Sequence, residues 1–133
     1  WCMTKDQKFK KEYARELLEI AEGDLETTLA LLNAKKGRKE NVCFSAQQVV
    51  EKSVKAVLCH LEIAVPFTHN LDILLDRLPE AYDLPGADAY NDLTEYATVR
   101  RYEHGTFELD QKDLEAAVNI AKKVISWAQK IIQ

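Results

Sequence analysis

Two arginines and a histidine stand close together near the C-terminal end of the sequence, as Arg100, Arg101 and His104. Histidine changes its charge near neutral pH, so it can move the 2′-hydroxyl proton of RNA as a general base or acid. The planar guanidinium of arginine can stabilise the charge of a phosphorane-like transition state. Two such groups would cleave RNA without a metal ion and leave a cyclic phosphate. If the helix is continuous, Arg100 and His104 share one face at i, i+4, and the three residues are the candidate catalytic groups.

A second candidate surface lies in the middle of the chain. Gln48, Lys52 and Lys55 are spaced at i, i+4 and i+7, which places them on one face of a helix, and Glu51 is an i, i+4 neighbour of Lys55. One interpretation is a strip that binds a nucleotide phosphate or a partner: ammonium groups meet the anion and the glutamine supplies directional hydrogen bonds. The other is a solvated face with one ion pair, worth about 0.3–0.5 kcal/mol. The residues alone leave both open.

His69 and Tyr102 are further candidates for nucleotide or partner binding. His69 is either a nucleotide contact and proton carrier or a structural imidazole at the start of a helix. Tyr102 stands beside Arg101, where its ring is placed to stack on a base. Cys59 and His60 point about 100° apart on a helix and do not form a joint metal site. No cysteine pair has C-x-x-C spacing, so no metal and no cofactor are expected.

Helical periodicity runs through the whole chain and positions these residues. The expected helices span residues 6–34, 40–63, 70–78, 88–105 and 110–133. Thr68 is the expected N-cap of the third, and Gly23 sits within the first without changing the phase of its apolar stripe. The polar side chains of the second helix, Gln47, Gln48, Glu51, Lys52 and Lys55, are expected opposite its apolar seam. Short connections between long amphipathic helices predict an all-α fold, an antiparallel up-and-down bundle of four to five helices.

Composition limits the class of protein. The 133 residues suffice for a single domain over 1–133, and the formal net charge of −4 argues against a protein that coats nucleic acid through bulk positive charge. The basic run at 35–39 fits a solvated loop between helices. Three cysteines without a pairing pattern indicate reduced thiols and a cytoplasmic location. No run of about 18 apolar residues is present, so no membrane contact is expected.

Three segments resemble the HEPN family (higher eukaryotes and prokaryotes nucleotide-binding). Residues 44–56, Phe-Ser-Ala-Gln-Gln-Val-Val-Glu-Lys-Ser-Val-Lys-Ala, are similar to the family pattern of an aromatic, Ala, Gln-Gln, Glu-Lys and Lys-Ala. Residues 68–71, Thr-His-Asn-Leu, are similar to its Thr-His-Asp-Leu stretch. Residues 96–102 are similar to its aromatic and Arg-Tyr segment, and the Asp24-Leu25 pair also fits. The order and spacing match from about residue 9 to 131.

The resemblance implies a helical bundle that is often a homodimer, and many family members act beside a minimal nucleotidyltransferase in a toxin–antitoxin or regulatory pair. We therefore expect a binding protein that acts with nucleotides or with such a partner, through Gln48, Glu51, Lys52, Lys55, His69, Arg101 and Tyr102. The alternative is a metal-independent endoribonuclease that uses Arg100 or Arg101 with His104. HEPN ribonucleases place four to six residues between the arginine and the histidine. Here three or two intervene, so the sequence favours binding over catalysis.

Overall fold

The computed structural model describes residues 11–82, 84, 90, 93 and 109–132, and these form a helical bundle. The elements are α1 (Tyr13–Ala34), α2 (Lys39–His60), α3 (Leu71–Asp76), a 3-10 helix (Glu80–Tyr82) and α4 (Gln111–Ile132). Tyr90 and Leu93 are also helical and buried, within the fourth predicted segment. No β-strand occurs in the described part of the chain, and the predicted all-α class is confirmed.

α2 lies at the centre of the bundle, in contact with α1, α3 and α4. The short loop 35–38 turns the chain back, so α1 and α2 are antiparallel. Lys39 Nζ donates a hydrogen bond to the carbonyl oxygen of Leu109 at 3.0 Å, which places the start of α2 beside the start of α4. These two helices therefore run in the same direction, and α1 runs opposite to both. This is the predicted up-and-down arrangement.

Both long N-terminal helices end in the left-handed conformation, without glycine at the cap. α1 ends at Ala34, and its C-cap residue Lys35 has φ of 54°. At the end of α2, Glu62 has φ of 59°, its N–H donates to Cys59 O at 3.0 Å, and the N–H of Ile63 donates to Leu58 O at 2.9 Å. This pair of bonds is a Schellman motif. It ends α2 at His60, three residues before the predicted end at residue 63.

The cap of α3 differs from the sequence-based expectation, whereas α4 is capped at the predicted Asp110. Asn70, and not Thr68, is the N-cap of α3, because its Oδ1 accepts the N–H of Asp72 at 2.9 Å. Thr68 Oγ1 instead accepts the N–H of Asn70 at 3.0 Å in the preceding turn. At α4, Asp110 and Asp113 accept each other's backbone N–H at 2.9 and 3.0 Å, a capping box.

The buried surface of α2 extends beyond its apolar face. Gln47, Glu51 and Lys55, which were expected on a solvated side, are 1%, 0% and 7% exposed. The expectation was wrong because the turn before α3 packs over that side of the helix, with Gln47 Nε2 donating to His69 O at 3.3 Å. Among the described helices, none is both long and apolar enough to cross a membrane.

Candidate functional site

The buried carboxylate of Glu51 is the centre of the candidate site. Its Oε1 accepts a hydrogen bond from Lys55 Nζ at 3.2 Å and lies 2.6 Å from Nδ1 of His69. The Glu51 side chain is 0% exposed, whereas the His69 side chain is 77% exposed. Because an ionised carboxylate only accepts hydrogen bonds, the histidine tautomer that fits this contact has its proton on Nδ1. A buried acid thus orients an exposed imidazole, and Nε2 is the ring nitrogen left for a ligand.

The second carboxylate oxygen of Glu51 is also buried, and within the described residues Oε2 has no hydrogen-bond partner. Burial of an ion pair costs several kcal/mol per ion in desolvation, which the mutual attraction of the charges often only offsets. The Glu51–Lys55 pair is therefore poorly explained by stability alone. It is well explained by the fixed position that it gives to His69.

The turn that carries His69 is fixed on both sides. Gln48 Nε2 donates to Gln47 Oε1 at 2.9 Å, and Gln47 in turn holds the His69 carbonyl. The two turn bonds at Thr68 and Asn70 hold the backbone that follows. The imidazole is consequently held by its side chain and by its own backbone, although it lies at the surface.

Asp24 of α1 is the second acidic residue of this cluster. Burial raises the pKa of its carboxyl above the ordinary value of 3.8, the positive charge of Lys52 opposes that shift, and the negative charge of Glu51 adds to it. The backbone oxygen of Asp24 accepts the hydroxyl of Thr28 at 2.7 Å, and Thr28 and Ser45 hydroxyls are 2.6 Å apart. These contacts fix α1 against α2 beside the site. The cluster thus balances two carboxylates against two ammonium groups and one histidine.

The structure brings five of the predicted binding residues together at one place: Gln48, Glu51, Lys52, Lys55 and His69. It does not turn both lysines outward. Lys55 points to Glu51 in the interior, while Lys52 is half-buried. Arg100, Arg101, Tyr102 and His104 lie outside the described residues, so their catalytic and binding roles stay predictions.

Phe67 is a residue of this region that the sequence reasoning missed. Its side chain is 76% exposed, two positions before His69 and directly after Pro66. A single exposed apolar side chain is common on protein surfaces, so Phe67 is of interest because it lies beside His69 and not because of its exposure alone. The signal available in the sequence was an aromatic residue between a proline and a candidate binding histidine.

The two described cysteines, by contrast, are buried in the core. Burial raises the pKa of the Cys43 thiol to about 12, with Asp113 and Glu40 adding to the effect, and the pKa of Cys59 to about 11. Neither of them forms a disulfide within the described part of the chain. The thiolate is the reactive form, so these cysteines are inert packing residues near neutral pH. In the described part of the chain no group of three or more His, Cys, Asp or Glu side chains could hold a metal ion.

The family is decided by a match over most of the chain: the HEPN domain family model matches residues 14–132. The chain belongs to the HEPN domain family. Among solved structures, TT1696 from Thermus thermophilus is similar, with a TM-score of 0.76 and 26% identity over 90% of this chain and 98% of that one. ST0689, an archaeal HEPN homologue, has a TM-score of 0.71 and 25% identity over the same shares. No curated protein matches the chain significantly.

Membership of the HEPN family confirms the predicted resemblance and the bundle, and leaves the activity to be argued from the site. In this HEPN chain the segments that carry the resemblance include residues 44–56 and 68–71. The residues in contact at the candidate site, Gln47, Glu51, Lys55 and His69, come from these two segments.

Proposed function

We propose that this HEPN protein binds nucleotides on the surface formed by Gln48, Lys52, Phe67 and His69, which we call the His69 surface. The single observation that carries the proposal is the 2.6 Å contact between a fully buried carboxylate and a 77% exposed imidazole. A side chain that is already fixed loses little conformational freedom when it binds, and this lowers the cost of association.

Each residue of the His69 surface has a separate role in the proposal. His69 Nε2 and the Lys52 ammonium group contact a phosphate, and the Gln48 amide adds a directional hydrogen bond. The exposed ring of Phe67 stacks on the base, an interaction worth about 1–3 kcal/mol. Glu51 and Lys55 are positioning residues, because they act through His69 and are buried themselves.

The partner in this proposal is a cognate minimal nucleotidyltransferase, in a toxin–antitoxin or regulatory pair. The support is the family membership and the nucleotide chemistry of the His69 surface, since a nucleotidyltransferase and a nucleotide-binding module share a ligand. We further propose that the protein is cytoplasmic and that it is a homodimer. Sedimentation of the purified protein tests the homodimer.

Thermal unfolding with and without added nucleotide tests the proposal. ATP, GTP or their diphosphates, at about 100 times the dissociation constant, should stabilise a binder by about 2.7 kcal/mol. The His69→Ala and Lys52→Gln variants should lose most of this stabilisation. His60→Ala is the matched control, because it removes a partly exposed histidine from the end of α2, away from the His69 surface. This variant should retain the full stabilisation.

Two results would contradict the proposal. Unchanged melting curves with all nucleotides would remove the His69 surface as a nucleotide site. Cleavage of RNA in EDTA by the wild type, lost in Arg101→Ala and His104→Ala, would instead make the protein a metal-independent endoribonuclease with shortened spacing. Intact RNA in all three samples agrees with a binding module.

A further inference from the structure

A groove lies between the 3-10 helix and the C-terminal half of α4, and we call it the α4 groove. It shares no residue with the His69 surface. Its volume is about 710 Å³, and the side chains that matter for its chemistry are Tyr82, Lys122, Lys123, Trp127 and Lys130. The groove is open along one side to solvent. Pockets of about 300–1,000 Å³ hold small ligands, and an open groove also admits a chain that continues beyond it.

The charge of the α4 groove differs in sign from that of the whole protein. The chain has a formal net charge of −4, yet α4 contributes Lys122, Lys123 and Lys130 with no aspartate or glutamate anywhere in residues 116–132. All three lysines are exposed, and in the described part of the chain none of them forms an ion pair. Glu80 belongs to the facing 3-10 helix, but it does not line the groove. The local field therefore favours an anion.

Two aromatic side chains accompany the lysines. Trp127 packs against the hydrophobic core with one part of its ring system and lines the groove with another. Tyr82 is half-buried and contributes from the 3-10 helix. Indole and phenol rings that are anchored in this way stack on planar bases at low entropic cost.

The spacing of the lysines selects a ligand with more than one negative charge. Lys122 and Lys130 are eight residues apart, which is roughly 12 Å along a helix, and Trp127 lies between them. A single phosphate that draws both end lysines together leaves the ring of Trp127 without a ligand group. A strand with repeated phosphates and bases between them satisfies the lysines and the tryptophan together.

We infer that the α4 groove binds single-stranded nucleic acid, with the three lysines on successive phosphates and one base on Trp127. An acidic peptide would satisfy the lysines but would leave Trp127 without a planar partner. The inference does not depend on the His69 surface, because the two sets of residues are different.

Fluorescence titration tests the α4 groove. The chain has two tryptophans, so a Trp1→Phe background makes Trp127 the sole tryptophan, and excitation at a wavelength that tyrosine does not absorb reports on it alone. An unstructured oligouridylate of about twelve nucleotides should quench it. Three lysine–phosphate contacts predict a salt slope of about −2.1, which is a loss of affinity of about 18-fold between about 50 and 200 mM salt.

Charge removal then locates the site. In Lys122→Gln/Lys123→Gln the slope should fall to about −0.7, a loss of only about 3-fold over the same range of salt. Lys35→Gln/Lys36→Gln is the matched control, since it removes two adjacent exposed lysines elsewhere, and its titration should follow the wild type. These lysines are exposed, so both variants should fold.

Three outcomes overturn the inference. The first is that the oligonucleotide does not quench Trp127 and that a labelled oligonucleotide shows no binding to the wild type by anisotropy. The second is an equal loss in the two double variants, which would show diffuse attraction. The third is equally tight binding of a polyglutamate peptide, which would assign the groove to an acidic protein partner. An oligodeoxyuridylate of the same length decides whether the strand is RNA or DNA, and either result supports the inference.

Discussion

Replacing Glu51 by leucine should be among the most destabilising substitutions in this protein. The carboxylate is fully buried and accepts from Lys55, whose side chain is only 9% exposed. Without Glu51, the buried ammonium group of Lys55 loses its ion-pair partner. Removal of one partner of a buried pair costs about 3–5 kcal/mol, which is a large fraction of the total of about 5–15 kcal/mol expected for a domain.

The Lys55→Met variant should lose less than Glu51→Leu. In that variant the carboxylate of Glu51 keeps its contact with His69, whose side chain lies at the surface in contact with solvent. The double variant Glu51→Leu/Lys55→Met removes both charges and fills the space with apolar groups. It should return to within about 1 kcal/mol of the wild type, because a buried pair often contributes little net stability.

Urea unfolding followed by circular dichroism measures these differences. With an m-value of about 2 kcal/mol/M, a loss of about 4 kcal/mol lowers the midpoint by about 2 M. Glu26→Leu is the matched control, because Glu26 is exposed on α1 and its loss should change stability by less than about 0.5 kcal/mol. A Glu51→Leu loss no larger than that of the control, or a double variant as unstable as Glu51→Leu, would refute the reasoning.

Three further predictions follow from individual residues. Gly23→Ala should stabilise the protein by about 1 kcal/mol, or about 4 °C in Tm, because α1 is continuous there and an added Cβ meets no atom within 4 Å; an unchanged or lower Tm would contradict this. Asp24→Asn should raise the Tm near neutral pH, since burial raises the pKa of Asp24 in the folded state and ionisation therefore opposes folding. Its advantage should shrink as the pH falls through the raised pKa and vanish below about 3.8, and a Tm difference that does not vary with pH would rule out this cause. In a Cys2→Ser variant, the raised pKa values of Cys43 and Cys59 predict no reaction of the native protein with a thiol reagent at about pH 8 and reaction of both thiols in urea; rapid labelling of the native protein would show that these thiols are accessible.

The course of the long helices could be predicted from the sequence, because apolar residues at a spacing of three or four define one face of a helix without reference to distant residues. The predicted segments 40–63 and 110–133 differ from α2 and α4 by one to three residues at each end. The ends were less predictable where a residue other than glycine takes the left-handed conformation. Glu62 is such a residue, and only the hydrogen bonds around it show that α2 stops at His60.

The burial of the candidate site was decided by tertiary structure. From the sequence, Glu51 and Lys55 form an ordinary i, i+4 pair that belongs on a solvated face. Whether that face is covered depends on a turn that returns to it 18 residues later and brings His69 onto Glu51. The α4 groove depends in the same way on a 3-10 helix that packs beside Trp127. Local spacing therefore determined which residues share a face of a helix, whereas contacts between distant segments decided which of those faces are buried, paired or open to a ligand.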